Sequence, residues 1–200
     1  MRHEMNTPCW NCREPVSPVP SVTDVPGVPT CVGCGVIQAP PPRPEPFSIF
    51  GLAPRWHLDL EALDARWKLL ARKIHPDRFA GKSPAERRLA LSWTASMNEA
   101  RRILRDPTRR AWLVATGVPS PPETGARVDP AFLATIFEWR EADEDEPGSF
   151  ARLSAARRAE LSAALDETFS AWETGAGTLE TVPALLHRLS YLAGHAPAEG

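Results

Sequence analysis

The stretch that decides the fold of this chain reads Trp67-Lys68-Leu69-Leu70-Ala71-Arg72-Lys73-Ile74-His75-Pro76-Asp77-Arg78-Phe79. Apolar side chains before its histidine recur at steps of three and four, which is typical of one face of a helix. These apolar residues are Leu60, Leu63, Trp67, Leu70 and Ile74. Proline cannot continue a helix, and it pushes the preceding residue out of helical dihedral angles. The stretch therefore predicts a helix that ends in a stiff polar turn, His75-Pro76-Asp77.

A second helix is predicted after this turn. Ser83-Pro84-Ala85-Glu86 is a capping box with proline at the first helical position. The apolar face that follows is made of Leu89, Trp93, Met97, Ala100 and Leu104. The pattern predicts two antiparallel helices joined by an exposed turn. Basic residues mark the first helix and the turn, namely Arg66, Lys68, Arg72, Lys73 and Arg78.

Several functions are compatible with the turn and its cations. His75 and Asp77 are a possible general acid–base pair, but the sequence shows no second catalytic group, so we predict no catalytic residue. Asp77 alone could cap a turn. The cations could form a solvated face, or a nucleic-acid-binding stripe next to a metal module. Trp67 and Trp93 fall on the inward helix faces, which leaves few aromatic residues for base stacking and favours a docking role.

All four cysteines lie in the first 46 residues, in the order Cys9-x-x-Cys12, eighteen residues, Cys31-x-x-Cys34. Two such knuckles can place four thiolates around one zinc ion, and the metal offsets the cost of ordering a segment with little core. Two disulfides or a redox dithiol are the alternatives. The spacing favours a structural, tetrahedral zinc site with four cysteine ligands, with Gly33 and Gly35 allowing the tight turns.

Charge and proline content divide the chain into three predicted domains. Residues 1–46 hold half of the prolines and end in the polyproline-type segment 39–46, which we interpret as a stiff spacer. Residues 47–118 carry a net charge of +7 and residues 119–200 one of −8. This asymmetry suggests two different partner surfaces. We find no apolar run of about 20 residues and no signal peptide, so we expect a cytoplasmic protein that does not bind membranes.

The acidic domain is predicted to be an antiparallel three-helix bundle, after a linker over 118–128. Asp129-Pro130 opens its first helix, which runs into the acidic stretch Glu141–Glu146 and stops at Pro147-Gly148. The second helix is expected over about residues 149–172. The third is expected to begin near Thr178, with Pro183 in its first turn.

The basic hairpin resembles the J-domain of the DnaJ family, on the strength of the basic helix, His75-Pro76-Asp77 and the capped helix. That resemblance implies that the turn and the cations contact a DnaK-type ATPase chaperone and stimulate its ATP hydrolysis. It therefore implies a chaperone-binding site made of His75, Pro76, Asp77, Arg66, Lys68, Arg72, Lys73 and Arg78. A short helix with a buried face is expected over Phe47–Leu52, and another over Thr108–Thr116.

The whole arrangement resembles the HscB family, J-domain co-chaperones of iron–sulfur cluster assembly. Four stretches carry this resemblance: Phe47–Leu52, His75–Ala80, Met97–Ala111 and Asp129–Glu141. The predicted fold is all-α: a helical-hairpin J-domain, then a three-helix bundle, with a small N-terminal zinc module. The resemblance implies a dedicated HscA-type chaperone as one partner and the scaffold protein IscU as the other. The scaffold-binding residues that it implies are Leu133, Ala134, Phe137, Glu138, Glu141, Asp145 and Tyr191.

Two alternatives stay open at this stage. One is a J-domain co-chaperone for a client other than IscU. The other is a zinc-dependent, nucleic-acid-binding regulator, whose binding would weaken steeply with salt. The resemblance favours a non-enzymatic co-chaperone without a nucleic-acid partner.

Overall fold

The computed structural model describes residues 7–16, 30–121 and 128–193, and its regular structure is helical apart from one short strand pair. The all-α prediction is therefore confirmed. The chain forms two compact units, Met1–Asp106 and Pro107–Gly200. The N-terminal unit contains strands β1 (Thr7–Pro8) and β2 (Pro15–Val16), helices α1 (Pro46–Ile49), α2 (Leu60–Ile74) and α3 (Pro84–Arg105), and a 3₁₀ turn over Pro76–Phe79.

Helices α2 and α3 form the predicted hairpin, and both begin at side-chain caps. The Asp59 carboxylate accepts hydrogen bonds from the N–H groups of Glu61 and Ala62, at 2.9 and 3.0 Å. At α3 the predicted capping box is present, since Ser83 and Glu86 accept from each other's backbone N–H groups. These caps satisfy N–H groups that have no partner inside the helix. The inward residues are buried as predicted, except Leu60, which is 36% exposed, and Trp67 and Leu89, which are half-buried.

The segment before the hairpin differs from the prediction. Helix α1 begins at Pro46, one residue earlier than expected, because the Glu45 carboxylate caps the N–H groups of Phe47 and Ser48. We predicted a spacer over 39–46 that holds the cysteines away from the helices. Instead, the preceding residue Gln38 is buried, and its carbonyl accepts a hydrogen bond from the Trp93 indole of α3 at 2.7 Å. The cysteine segment and the hairpin thus belong to one compact unit.

The C-terminal unit contains helices α4 (Pro107–Thr116), α5 (Pro130–Asp145), α6 (Ser149–Glu173) and α7 (Val182–Ala193). Helices α5, α6 and α7 form the predicted bundle around a cluster of buried side chains. That cluster comprises Phe132, Ile136, Leu161 and Leu192. Helix α4 packs against α7, with the Trp112 and His187 rings edge to face at 5.0 Å between centroids.

Two sequence expectations for the C-terminal unit need correction. Helix α7 begins at Val182 and not near Thr178, because residues 179–181 form a turn, and Pro183 lies in its first turn as required. Helix α4 belongs to the C-terminal unit, whereas we placed it in the preceding domain with a boundary after residue 118. Most of the linker expected over 118–128 lies outside the described residues.

Asp129 gives the C-terminal unit a pH-dependent contribution to stability. Its carboxylate accepts from the Phe132 N–H at 2.8 Å and from the Arg188 Nε at 3.1 Å. The Phe132 N–H and then the Arg188 guanidinium hold the pKa of this carboxyl below its usual value. Because the pKa is lower in the folded state, the carboxylate stabilises the fold above the unfolded pKa of about 3.9. That stabilisation is lost as the pH falls through the folded pKa.

We therefore expect Asp129→Asn to lower the urea midpoint at about pH 7 and about pH 5, and the difference from the unmodified protein to shrink below about pH 4. Asparagine keeps the capping oxygen and removes the charge, so the pH dependence isolates the charge. Glu144→Gln, an exposed acid in the same unit, is the control. A difference that does not change with pH would contradict the assignment.

Candidate functional site

The His75-Pro76-Asp77 turn is an exposed projection with a defined backbone. Helix α2 ends at Ile74, and His75 is extended, at φ −54° and ψ 132°, as the following proline requires. The Asp77 N–H donates to His75 Nδ1 at 3.3 Å, and an Asp77 carboxylate oxygen lies 3.4 Å from the same nitrogen. The two side chains are 58% and 89% exposed. Both side chains therefore present polar groups to solvent at the end of the hairpin.

The same exposure argues against acid–base chemistry. Catalytic groups are usually placed in concave, water-excluding sites, where their pKa values can be tuned. His75 and Asp77 lie in the turn of a hairpin, with most of each side chain in solvent. Their arrangement is suited to docking.

Four of the five predicted cations lie on α2 or in the 3₁₀ turn that follows it, with side chains that reach solvent. Lys68, Arg72 and Arg78 are exposed and Lys73 is half-buried. Arg66 differs, because its Nη1 donates to the carbonyls of Phe50 and Gly51 at 2.8 and 2.7 Å. These carbonyls follow α1, so Arg66 ties that helix to α2. Arg66 as a chaperone contact stays a prediction, and its guanidinium already has a structural role.

We expect Arg66→Ala to destabilise the protein by about 3 kcal/mol, since two hydrogen bonds to a charged group are lost and each contributes about 1.5–3 kcal/mol. Lys68→Ala, an exposed cation on the same helix, should change stability by less than about 0.5 kcal/mol. Urea unfolding of both variants makes the comparison. Equal losses in the two variants would show that the Arg66 bonds contribute little.

The four cysteine sulfurs form one cluster. All four Sγ atoms of Cys9, Cys12, Cys31 and Cys34 lie within 4.8 Å of one another. Cys9 and Cys34 are 3.7 Å apart, and Cys12 and Cys31 are 3.5 Å apart. Sulfurs at about 2.3 Å around a tetrahedral zinc are about 3.8 Å from each other. A disulfide needs about 2.05 Å, and the four cysteines are free, so the donor set fits a metal ion.

The two knuckles have matching backbones. Arg13 N–H donates to the Cys9 carbonyl at 2.9 Å, and Gly35 N–H donates to the Cys31 carbonyl at 2.8 Å. Both donors have positive φ, 65° and 71°, four residues after the first cysteine of each pair. Gly35 thus serves the turn as predicted, while the first knuckle places an arginine in the left-handed region. Strain of this kind persists only where the surroundings impose it.

Electrostatics in the cluster favour a bound cation. Burial raises the pKa of Cys9, but hydrogen bonds from the backbone of Cys12 and Asn11 and from neighbouring thiols outweigh it, and the pKa falls to about 6. A hydrogen bond from the backbone of Glu14 lowers the pKa of Cys12, but burial and the other sulfurs raise it to about 12. A hydrogen bond from the backbone of Val36 also lowers the pKa of Cys34, so thiolates at Cys9 and Cys34 are favoured and a thiolate at Cys12 is opposed by the other sulfurs. A divalent cation removes that opposition.

One face of α5 carries an exposed aromatic ring among acids. Phe137 is 60% exposed, although aromatic side chains are usually covered. The exposed residues around it recur at steps of three and four and so share that face, and they are Ala134, Glu138, Glu141 and Asp145. Leu133 and Tyr191 are half-buried, and the Tyr191 ring packs edge to face on Phe132 of α5, at 6.3 Å between centroids. Tyr191 of α7 thus lies against α5.

The acidic stretch predicted over 141–146 contains side chains with different roles. The Asp143 carboxylate accepts from the N–H groups of Gly148 and Phe150, both at 2.9 Å. It supplies the N-terminal cap that α6 otherwise lacks, because the residue before that helix is glycine. Glu146 pairs with Arg152 at 2.9 Å. Sequence spacing alone could not separate these structural acids from the exposed ones.

None of the helices in the described parts of the chain is long and apolar enough to cross a membrane.

The sequence is similar to those of known co-chaperone proteins. The co-chaperone protein HscB homolog of Bordetella petrii is 46% identical over 114 residues, which is 54% of this chain and 67% of the relative. The corresponding homolog of Cupriavidus taiwanensis is 46% identical over 98 residues, covering 48% of this chain and 56% of the relative. No family model matches the chain.

Solved structures extend the comparison. The crystal structure of human co-chaperone protein HscB aligns with a TM-score of 0.69 at 26% identity, over 94% of this chain and 93% of that one. Coverage of 94% necessarily reaches into the cysteine-bearing segment. Chaperone HscB from Vibrio cholerae shares the fold, with a TM-score of 0.53 at 24% identity over 75% of this chain and 92% of that one.

The fold, the exposed turn and these relatives define a co-chaperone. The chain belongs to the HscB family.

Proposed function

We propose that this co-chaperone stimulates ATP hydrolysis by a DnaK- or HscA-type chaperone through His75-Pro76-Asp77, and that it delivers an IscU-type scaffold for iron–sulfur cluster assembly. The observation that carries the proposal is the exposed turn, whose His75 and Asp77 side chains are 58% and 89% exposed. A docking motif needs polar groups that a partner can reach, and this turn offers them.

The cations near the turn supply the electrostatic part of chaperone binding. Lys68, Arg72, Lys73 and Arg78 are basic side chains of the region 47–118, whose net charge is +7. A surface of one sign accelerates encounter with a partner of the opposite sign and disfavours wrong partners. We infer an acidic surface on the partner chaperone, and we expect stimulation to weaken as salt rises.

The exposed face of α5 supports scaffold binding. Phe137 offers an apolar anchor, and Glu138, Glu141 and Asp145 surround it with negative charge. Interfaces commonly combine a central aromatic side chain with a polar rim. A basic scaffold surface with an apolar pocket would fit this face. A different client remains the second candidate, because the same chemistry would suit any such surface.

We further propose that Cys9, Cys12, Cys31 and Cys34 hold a structural zinc ion. The sulfur spacing is that of a tetrahedral site, and four cysteine ligands leave no open position for catalysis. When bound, the metal would stabilise the fold of the N-terminal segment. A cytoplasmic location stays a prediction from the sequence.

Nucleic-acid binding is less well supported. Trp93 is 5% exposed, and one face of the Trp67 ring is covered by the Arg101 guanidinium at 4.6 Å. The buried Trp93 indole therefore cannot stack on a base, and Trp67 has at most one ring face to offer.

The decisive experiment is the steady-state ATPase of the HscA-type chaperone with the IscU scaffold, with and without this protein. Strong stimulation that needs the scaffold supports the proposal. Stimulation of the chaperone without dependence on IscU, together with failure of this chain to retain IscU in a pull-down, would indicate another client. No stimulation by a folded protein would overturn the chaperone role.

A further inference from the structure

Gln38 forms a direct hydrogen-bonded bridge between the cysteine cluster and helix α3. It is 8% exposed, and its Nε2 lies 3.3 Å from Cys9 Sγ and 3.0 Å from the Val36 carbonyl. Its own carbonyl accepts from the indole N–H of Trp93 at 2.7 Å. Trp93 lies in the middle of α3 and is 5% exposed. One residue therefore contacts a sulfur of the proposed metal site through its side chain and the core of the hairpin through its backbone.

A second indole fixes the neighbouring carbonyl. Trp10, which lies between Cys9 and Cys12, donates its indole N–H to the Ile37 carbonyl at 2.8 Å. Ile37 is 1% exposed. The consecutive carbonyls of Ile37 and Gln38 are thus held by one indole from the cysteine segment and one from α3. The segment Ile37-Gln38 is therefore hydrogen-bonded both to the cysteine segment and to helix α3.

The chemistry of the two bonds links them energetically. An amide N–H binds a thiolate more strongly than a neutral thiol, because the acceptor is charged, and metal ligation keeps the cysteine as thiolate. The buried Trp93 N–H needs an acceptor, since an unpaired buried donor costs about 1–3 kcal/mol. A metal-loaded cluster that orders Gln38 therefore also holds the acceptor that Trp93 requires.

We propose that Gln38 is a positioning residue that couples metal binding at the four cysteines to the stability of α3. The inference rests on the proposed metal site. It implies that the metal does more than order the N-terminal segment, because it also stabilises the hairpin that carries His75-Pro76-Asp77. A ligand that binds only the folded form stabilises that form, and the Gln38 bridge extends the effect to α3.

The test uses the full chain loaded with Zn²⁺ or stripped by a chelator, with amide hydrogen exchange followed in peptides from α3. Peptides from α6 serve as the internal reference. We expect chelation to accelerate α3 exchange by about tenfold or more in the unmodified protein. In Gln38→Ala, which loses the bond to Cys9 but keeps the backbone carbonyl, this acceleration should fall to about twofold or less.

Two tryptophan variants complete the design. Trp93→Phe removes the indole N–H on the helix side of the bridge and should also reduce the effect of chelation on α3. Trp67→Phe is the matched control, because its indole donates to Asn98 at 2.9 Å in the same unit without contacting Gln38. We expect Trp67→Phe to accelerate α3 exchange equally with and without metal. The ratio of the α3 exchange rate without metal to the rate with metal should therefore equal that of the unmodified protein.

Co²⁺ titration separates failure of the metal site from failure of the coupling. The thiolate-to-Co²⁺ absorption should appear in the unmodified protein, and Gln38→Ala should shift the band and weaken affinity about 10–100-fold, as outer-shell changes commonly do. Absence of the band in the unmodified protein would overturn the metal site and this inference with it. A normal band together with α3 exchange that ignores chelation, or that responds equally in Gln38→Ala, would overturn the coupling alone.

Discussion

Replacing Asp77 by asparagine is expected to abolish stimulation of the partner ATPase while leaving the fold intact. The Asp77 side chain is 89% exposed, and a carboxylate oxygen of it lies 3.4 Å from His75 Nδ1. A change in such a side chain leaves the packed core untouched. The substitution keeps the size of the side chain and removes the negative charge that the proposed docking contact uses. The ATPase rate of the partner chaperone should therefore fall to its unstimulated value. Steady-state ATPase with scaffold present measures this.

The control for Asp77→Asn is Glu61→Gln, an exposed acid in the first turn of α2 and therefore in the same unit. Glu61→Gln changes the net charge by the same amount as Asp77→Asn, and Glu61 lies outside the His75-Pro76-Asp77 turn. We expect full stimulation from the control and an unchanged urea midpoint in both proteins. Stimulation that survives Asp77→Asn would reject the proposed mechanism, whereas equal losses in both proteins would indicate that only net charge matters.

Replacing Phe137 by alanine is expected to weaken binding of the IscU-type scaffold by about tenfold or more, with little change in stability. Aromatic anchors at the centre of an interface often contribute about 2 kcal/mol or more. The free side chain is 60% exposed, so its removal costs the isolated protein little buried area. Calorimetric titration of the scaffold measures the affinity. Acid-to-amide changes at Glu138 and Glu141 should add a salt-dependent loss.

Leu91→Ala is the matched control for Phe137→Ala. Leu91 is 58% exposed and lies on α3, in the other unit. Both variants remove a comparably exposed apolar side chain, so a general effect of surface hydrophobicity would appear in both. Scaffold affinity that is unchanged in Phe137→Ala, or reduced equally in Leu91→Ala, would locate the binding surface elsewhere.

Most of the helices and the place of the turn at Pro76 could be predicted from residue types and their near neighbours. Which charged side chains make structural contacts and which stay exposed could not be predicted in this way. Arg66 and Arg72 look alike in the sequence, yet one binds two carbonyls after α1 and the other is exposed. Asp143 and Asp145 are two residues apart, yet Asp143 caps α6 and Asp145 is exposed.

What the sequence by itself determined are features built from contacts over three or four residues: the caps at Ser83 and Asp129, the turn at Pro76, and the apolar faces of the helices. Steric limits and local hydrogen bonds act regardless of the rest of the chain. Only the tertiary structure decided which polar groups bind each other. Gln38 binds Cys9 and Trp93, which are 29 and 55 residues away, and Arg66 binds carbonyls 15 and 16 residues away, so packing, not local pattern, brings these groups together.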